Sequence, residues 1–250
     1  MEKDLLQTIA KNTASRATFQ IILEGVDSVL HTTFNPPLEN HPGCQYELSL
    51  ASVETYYSFP NIDKTNNRFK VLINEVWEEI IIPIGCYGIK HINLETQRQI
   101  VLKGGGKEGV TFTPNLCTFK CILTLANGYQ VDMSGENSIR TVLGFNDQIY
   151  KEKRNVSERN VDIMRVNSIF VHCDLISSSY VNGVKQPIMY SFFPDALPGT
   201  KIIERPPALI YLPIEQDVIH QMTSWLTDQD LRPLDLRGER LTLKFHVRAC

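Results

Sequence analysis

The fold class this sequence predicts is all-β: an antiparallel β-sandwich or jelly roll with one or two short helices. Three observations carry it. Near the C-terminus, Leu241, Leu243, Phe245 and Val247 alternate with Thr242, Lys244, His246 and Arg248, the period of a half-buried strand. Short apolar runs recur along the chain between clusters of Gly, Pro, Asn and Asp. The clearest helical signals are residues 92–102 and a single turn at 138–143.

The 250 residues suffice for one large β domain or two smaller ones. With 42% apolar and 21% charged residues the composition is globular, and a formal net charge of −3 gives no reason to expect bulk nucleic-acid binding. The cysteines Cys44, Cys86, Cys117, Cys121, Cys173 and Cys250 form no CxxC pair and read as free, buried thiols of a reducing compartment. No window approaches the ~20 apolar residues of a membrane span. A soluble protein made in the cytosol is expected.

In chain order, residues 1–16 form a polar arm whose apolar cluster is Leu5, Leu6 and Ile9. This triplet has two readings, one helical turn seated in a groove on another subunit or a terminus that simply frays. One domain is expected over 17–250. Residues 19–25 read as a strand ended by Gly25, and 29–34 as another, stopped by Pro36 and Pro37. The longest strand signal is 45–59, with Tyr46, Leu48 and Leu50 on one face before Tyr56, Tyr57 and Phe59. Strands follow at 68–73 and 79–84. The helix at 92–102 has Asn93 as its cap, with Ile100 and Val101 beneath.

After a glycine loop at 104–106, strands are expected at 111–112, 119–125 and 129–133. Asn127-Gly128 joins the last two as a hairpin. Ser138 to Leu143 make a helical turn ended by Gly144. The charged stretch 146–160 is a surface loop or a boundary between halves. Strands at 169–176, 188–193 and 208–212 are separated by turns at Asn182-Gly183 and Pro198-Gly199. Residues 214–226 fit either a helix lined by Ile214, Val218, Met222 and Trp225 or a strand with Ile219, Thr223 and Trp225 on one face. Flanked by a turn and the terminal strand, they read as a strand that pairs back on it across an acidic connection.

Motifs for chemistry are weak. In KGGGKEG, Glu108 follows Lys107 where a phosphate loop needs Ser or Thr, so a plain loop is expected. Asp228, Asp230, Asp235 and Glu239 lack the calcium-loop pattern, since Arg232 and Pro233 occupy essential positions. GxSxG and HExxH are absent, the six histidines are singletons, and Cys86 in GCYG reads as structural. Tyr56, Tyr57, Phe59 and Trp77 lack clustered Arg or Lys, which argues for packing and interfaces over single-stranded nucleic acid. No catalytic residue, cofactor or metal is expected.

Several blocks taken together carry a resemblance. FQIILEG, YELSLASVETYYSFPNID and NNRF are followed by IIIPIGCYGIKHI, with Ile82, Pro83, Gly85, Tyr87, Ile89 and Ile92 in the family's pattern. SIRTVLGF supplies Ser138, Leu143, Gly144 and Phe145, and KIIERPPALIYLPI and DQDLRPLDLRGERLTLKFHVR complete the series. In this order they resemble the minor capsid (penton) protein of Polinton, or Maverick, elements.

The resemblance implies a jelly-roll subunit without an active site. It would form homopentamers at icosahedral vertices beside a double jelly-roll major capsid protein. Its place would be the virion, after synthesis in the host cytosol and assembly there or in the nucleus. Sequence-specific nucleic acid and membranes are not expected partners. Leu5, Leu6, Ile9, Tyr56, Tyr57 and Trp77 are the candidate interface residues. The alternative is a jelly-roll binding module whose loops recognise a glycan or a host receptor.

Overall fold

The computed structural model describes residues 18–39, 45–177 and 179–249. Leu5, Leu6 and Ile9, with the rest of the 1–16 arm, lie outside the described residues, as do Cys44 and Cys250. The fold is all-β and antiparallel, with two helices among the described residues. Where the sequence suggests one domain, the chain divides into two compact units. One is built from the two ends of the chain, up to Tyr57 and from Val166; the other is Ser58–Arg165 between them.

The first unit starts with β1 (Thr18–Gly25), β2 (Val29–Glu39) and β3 (Tyr46–Tyr56). After the inserted unit it resumes with β11 (Ile169–Cys173), the hairpin β12 (Ser179–Val181) and β13 (Val184–Gln186), and β14 (Ile188–Phe192). Then follow β15 (Lys201–Glu204), the short β16 (Leu212–Pro213), β17 (Val218–Thr227) and β18 (Leu241–Ala249). One sheet runs β1-β18-β3-β15, with β16 also on β3, and the other runs β14-β11-β17-β2. The chain alternates between them, with β11 and β14 the one consecutive pair of long strands sharing a sheet. This order is that of a jelly roll.

The alternation of β18 is as the sequence suggests: Leu241, Leu243, Phe245 and Val247 are buried, and Lys244, His246 and Arg248 lie on the other face. Its partners are β1 and β3. The expected hairpin between β17 and β18 does not form, because β17 pairs with β11 and β2 in the opposite sheet. Residues 228–240 instead carry the chain across, anchored by buried Leu234 and Leu236.

Bulges explain the other differences. In β17 the register shifts between Ile219 and Gln221, so Ile219 faces inward with Met222, Ser224 and Leu226, while Thr223 and Trp225 take the other face. β2 runs on through Pro36 and Pro37 because it is an edge strand, and Phe34 to Pro37 have no partners in its ladder with β17. Gly25 ends β1 where a Cβ would stand 2.6 Å from the tip of the Leu30 side chain, so a larger residue would require that side chain to shift. Of the stretch 208–212, only Leu212 is in a strand.

The second unit holds β4 (Arg68–Ile73), β5 (Val76–Ile81), α1 (Ile89–Leu102), β6 (Val110–Asn115) and β7 (Lys120–Leu125). It ends with β8 (Gln130–Asp132), α2 (Arg140–Leu143), β9 (Ile149–Tyr150) and β10 (Arg154–Val156). Its sheets are β5-β4-β8-β9 and β10-β7-β6. Phe112 of β6 packs edge-on to Phe69 of β4 and tilts against Phe145, which meets Tyr150. These rings tie both sheets into one core with Ile80, Ile92, Leu123 and Val131.

The charged stretch 146–160 lies inside this unit, not at a boundary, and contributes β9 and β10. Asn127-Gly128 makes no hairpin. Only Gly128 of the two has positive φ, whereas a type I′ hairpin turn needs both, so β8 leaves β7 and pairs with β4. The helix is capped at Gly88, whose N–H donates to His91 Nδ1, five residues before the expected cap. Asn93 instead accepts the Phe112 N–H, and Val101 faces outward while Ile89, Ile92, Thr96 and Ile100 face the core.

Phe245 is fully buried between the strands that flank β18. Replacing it by Ala is expected to cost about 3–5 kcal/mol in chemical denaturation. Lys244→Ala, on the opposite face, should stay within about 1 kcal/mol.

Candidate interaction surfaces

No described group of three or more His, Cys, Asp or Glu side chains is placed to hold a metal. The glycine loop 104–106 and the following Gly109 wrap the ring of Tyr129: the Tyr129 hydroxyl accepts the Gly106 N–H at 2.6 Å, and a Cβ on Gly109 would sit 2.3 Å from that ring. Gly105, Gly106 and Gly109 permit the close approach of this ring, whereas Gly104 takes a φ of 80° just past the helix.

Asp228 is buried and acts as a turn lock. It accepts the backbone N–H groups of Asp230 and Arg232, and Arg232 Nε at 2.9 Å. Among the cysteines, Cys121 and Cys173 are buried as expected, and burial pushes both thiols up to about 12. Cys117 is exposed, in the turn before β7, and is not the buried thiol expected.

The outer face of the β1-β18-β3-β15 sheet carries an ionic ladder. Glu54 of β3 binds Lys201 of β15 at 2.8 Å and Lys244 of β18 at 3.0 Å. Glu47 binds Arg248 at 2.7 Å, and the Arg248 guanidinium lies 3.7 Å from the centre of the Tyr211 ring. The Tyr211 hydroxyl and His246 Nδ1 are 2.8 Å apart. Hydrogen bonds from Lys201 and Lys244 hold the Glu54 carboxyl down to about 2. The ladder fastens three neighbouring strands across their solvent face.

The expected interface aromatics separate. Tyr56 is 38% exposed at the end of β3, and Trp77 is 40% exposed near the start of β5, each on a different unit. Tyr57 is buried at 7% and is not a surface residue. Its backbone accounts for this, since its N–H donates to Thr200 and its carbonyl accepts from Gly199, which turns the ring inward. Phe59 is likewise core.

Sequence reasoning did not single out three other exposed apolar sites. The 193–197 connection presents Phe193 and Leu197, the turn before β7 presents Leu116 and Phe119, and α1 presents Leu94, Val101 and Leu102 outward. The bulky Phe119 has a φ of 55°, a strained conformation for such a residue. Only the helix stripe left a signal, its apolar residues at positions i, i+7 and i+8 opposite the core face.

His172 is an unused buried titratable group. It is 2% exposed, with Nε2 2.8 Å from the Thr227 hydroxyl and its ring stacked on Trp225 at 4.9 Å. Its Nδ1 is buried without a partner among the described residues. Burial lowers its pKa to about 4 from 6.5. Because the unfolded chain binds this proton more readily, the stabilisation present above pH 6.5 is lost as pH falls through 4, by about 3 kcal/mol. Denaturation midpoints measured from pH 7 to 4 should fall accordingly, and His172→Gln should flatten that part of the profile.

No known family model matches the sequence, and no curated protein does. Among solved structures, the chain is similar to a crystal structure of the mavirus penton protein. The identity is 11%, the match covers 94% of this chain and 100% of that one, and the TM-score is 0.48. The fold assignment stands on the strand order itself.

Proposed function

We propose that this chain is a structural subunit of a virus-type capsid, a minor (penton) protein whose work is self-association. The observation that carries the reading is the jelly-roll order of its first unit, β1-β18-β3-β15 against β14-β11-β17-β2. The sequence blocks that resemble penton proteins support it, as they span nearly the whole chain in order. In this reading the subunit forms a ring of five at an icosahedral vertex of the virion, beside a double jelly-roll major capsid protein.

A closed ring needs two different faces on each subunit that fit one another. Exposed apolar side chains on the first unit supply material for such faces: Phe193 and Leu197 between β14 and β15, and Ile203 on the edge strand β15. Sedimentation velocity over a micromolar concentration series, with negative-stain imaging, tests the reading. A five-membered ring is expected. A monomer at every concentration that binds a glycan would replace it with the binding-module reading.

A further inference from the structure

We propose that the groove along the outer face of α1 is the seat of the N-terminal segment, residues 1–16, of a neighbouring copy; this rests on the self-association reading. Helix α1 buries one face, through Ile89, Ile92, Thr96 and Ile100. The opposite face of a surface helix is ordinarily polar. Here it carries Leu94, Val101 and Leu102, which are 60%, 49% and 72% exposed in the whole chain. Together with Gln97, Arg98 and Lys107 they line a groove of about 270 Å³. No carboxylate is among the lining residues. Arg98 is paired with Glu95 of the same helix at 2.7 Å, so the net positive charge of the rim is that of Lys107.

An apolar groove with a cationic rim fits a short apolar segment with an acidic flank. The chain contains one. Glu2 and Asp4 immediately precede Leu5 and Leu6, and Ile9 stands four residues beyond Leu5, the spacing of neighbours on one helical face. The seventeen residues ahead of β1 reach at most about 60 Å when extended, enough to cross from one subunit to another. Burying the triplet would cover the three exposed side chains of α1 and bring Glu2 and Asp4 to the Lys107 end of the groove.

The test uses the full chain with Leu6→p-benzoylphenylalanine, mixed from isotopically heavy and light preparations and irradiated. Crosslinks mapped by mass spectrometry should join different copies and concentrate between residues 94 and 107. The double change Leu94→Asp and Val101→Asp alters exposed positions only and should reduce those crosslinks at least tenfold, with the melting temperature nearly unchanged. Crosslinks confined to single chains, or to other surfaces and indifferent to the double change, would overturn the proposal. Sedimentation of the same samples separates the two readings: a ring without α1 crosslinks defeats this inference alone, whereas a monomer at every concentration defeats both.

Discussion

The structure of the first unit depends on the register of β18. This strand is central, hydrogen-bonded to β1 on one side and β3 on the other. Its inner face is fixed by four fully or almost fully buried apolar side chains, Leu241, Leu243, Phe245 and Val247. A slip by one residue would turn Lys244, His246 and Arg248 into the core, at a cost far beyond that of lost apolar burial. With β18 fixed, the register of β1 follows as Ile21 opposite Phe245 and Leu23 opposite Leu243. That of β3 follows with one bulge, and the ladder from Glu54 to Lys244 and Lys201 extends the same order to β15. The last strand of the chain therefore positions the first.

The inserted unit meets a different constraint, the open side between its two sheets. β5 and β6 are edge strands of different sheets, and their outward backbone groups need partners. Helix α1 supplies them from side chains. Gln99 donates to the Ile81 carbonyl at 2.6 Å and accepts the Ile81 N–H at 3.1 Å, so that its amide stands in for a neighbouring strand. Asn93 accepts the Phe112 N–H at 2.8 Å on the other edge. Where the chain enters and leaves the unit, Asn61 donates to the carbonyls of Tyr87 and Ile163 and accepts the Tyr87 N–H. The Asn66 amide donates to the Asn61 carbonyl and that of Asn67 to Ile82. These asparagines satisfy buried backbone that no ladder reaches.

Most strands were legible because their signal is local. The alternation in β18, the apolar run of β1 and the turn at Asn182-Gly183 each depend on a few adjacent residues. The pairing of strands was less legible. The hairpin expected between β17 and β18, and that expected at Asn127-Gly128, both assume that neighbours in sequence pair in space. A jelly roll sends consecutive strands to opposite sheets, and the φ sign at Asn127 that decides its turn is not written in the dipeptide. Bulges were also hidden: the one near His220 reverses the face of Ile219 without any change in composition. The prolines of β2 were misleading because an edge strand tolerates what an inner strand does not.

The candidate interface was the least legible part, and the reason is physical. Burial leaves a period in the sequence because a core selects apolar residues at each inward position. An exposed apolar surface leaves no such period when it is built from connections, as Phe193 and Leu197 are, or when its residues sit on a helix that already has a regular inner face. Tyr57 shows the converse: an aromatic among aromatics, next to exposed Tyr56, yet buried because its backbone joins the 199–200 turn. The blocks that resemble capsid proteins turn out to contain Asn61, Asn67, Ile82, Gly144 and Phe145, which close turns, satisfy buried carbonyls or fill the core. They specify the scaffold. The exposed apolar side chains Phe193 and Leu197 lie between those blocks, and Leu94, Val101 and Leu102 lie on the outer face of α1.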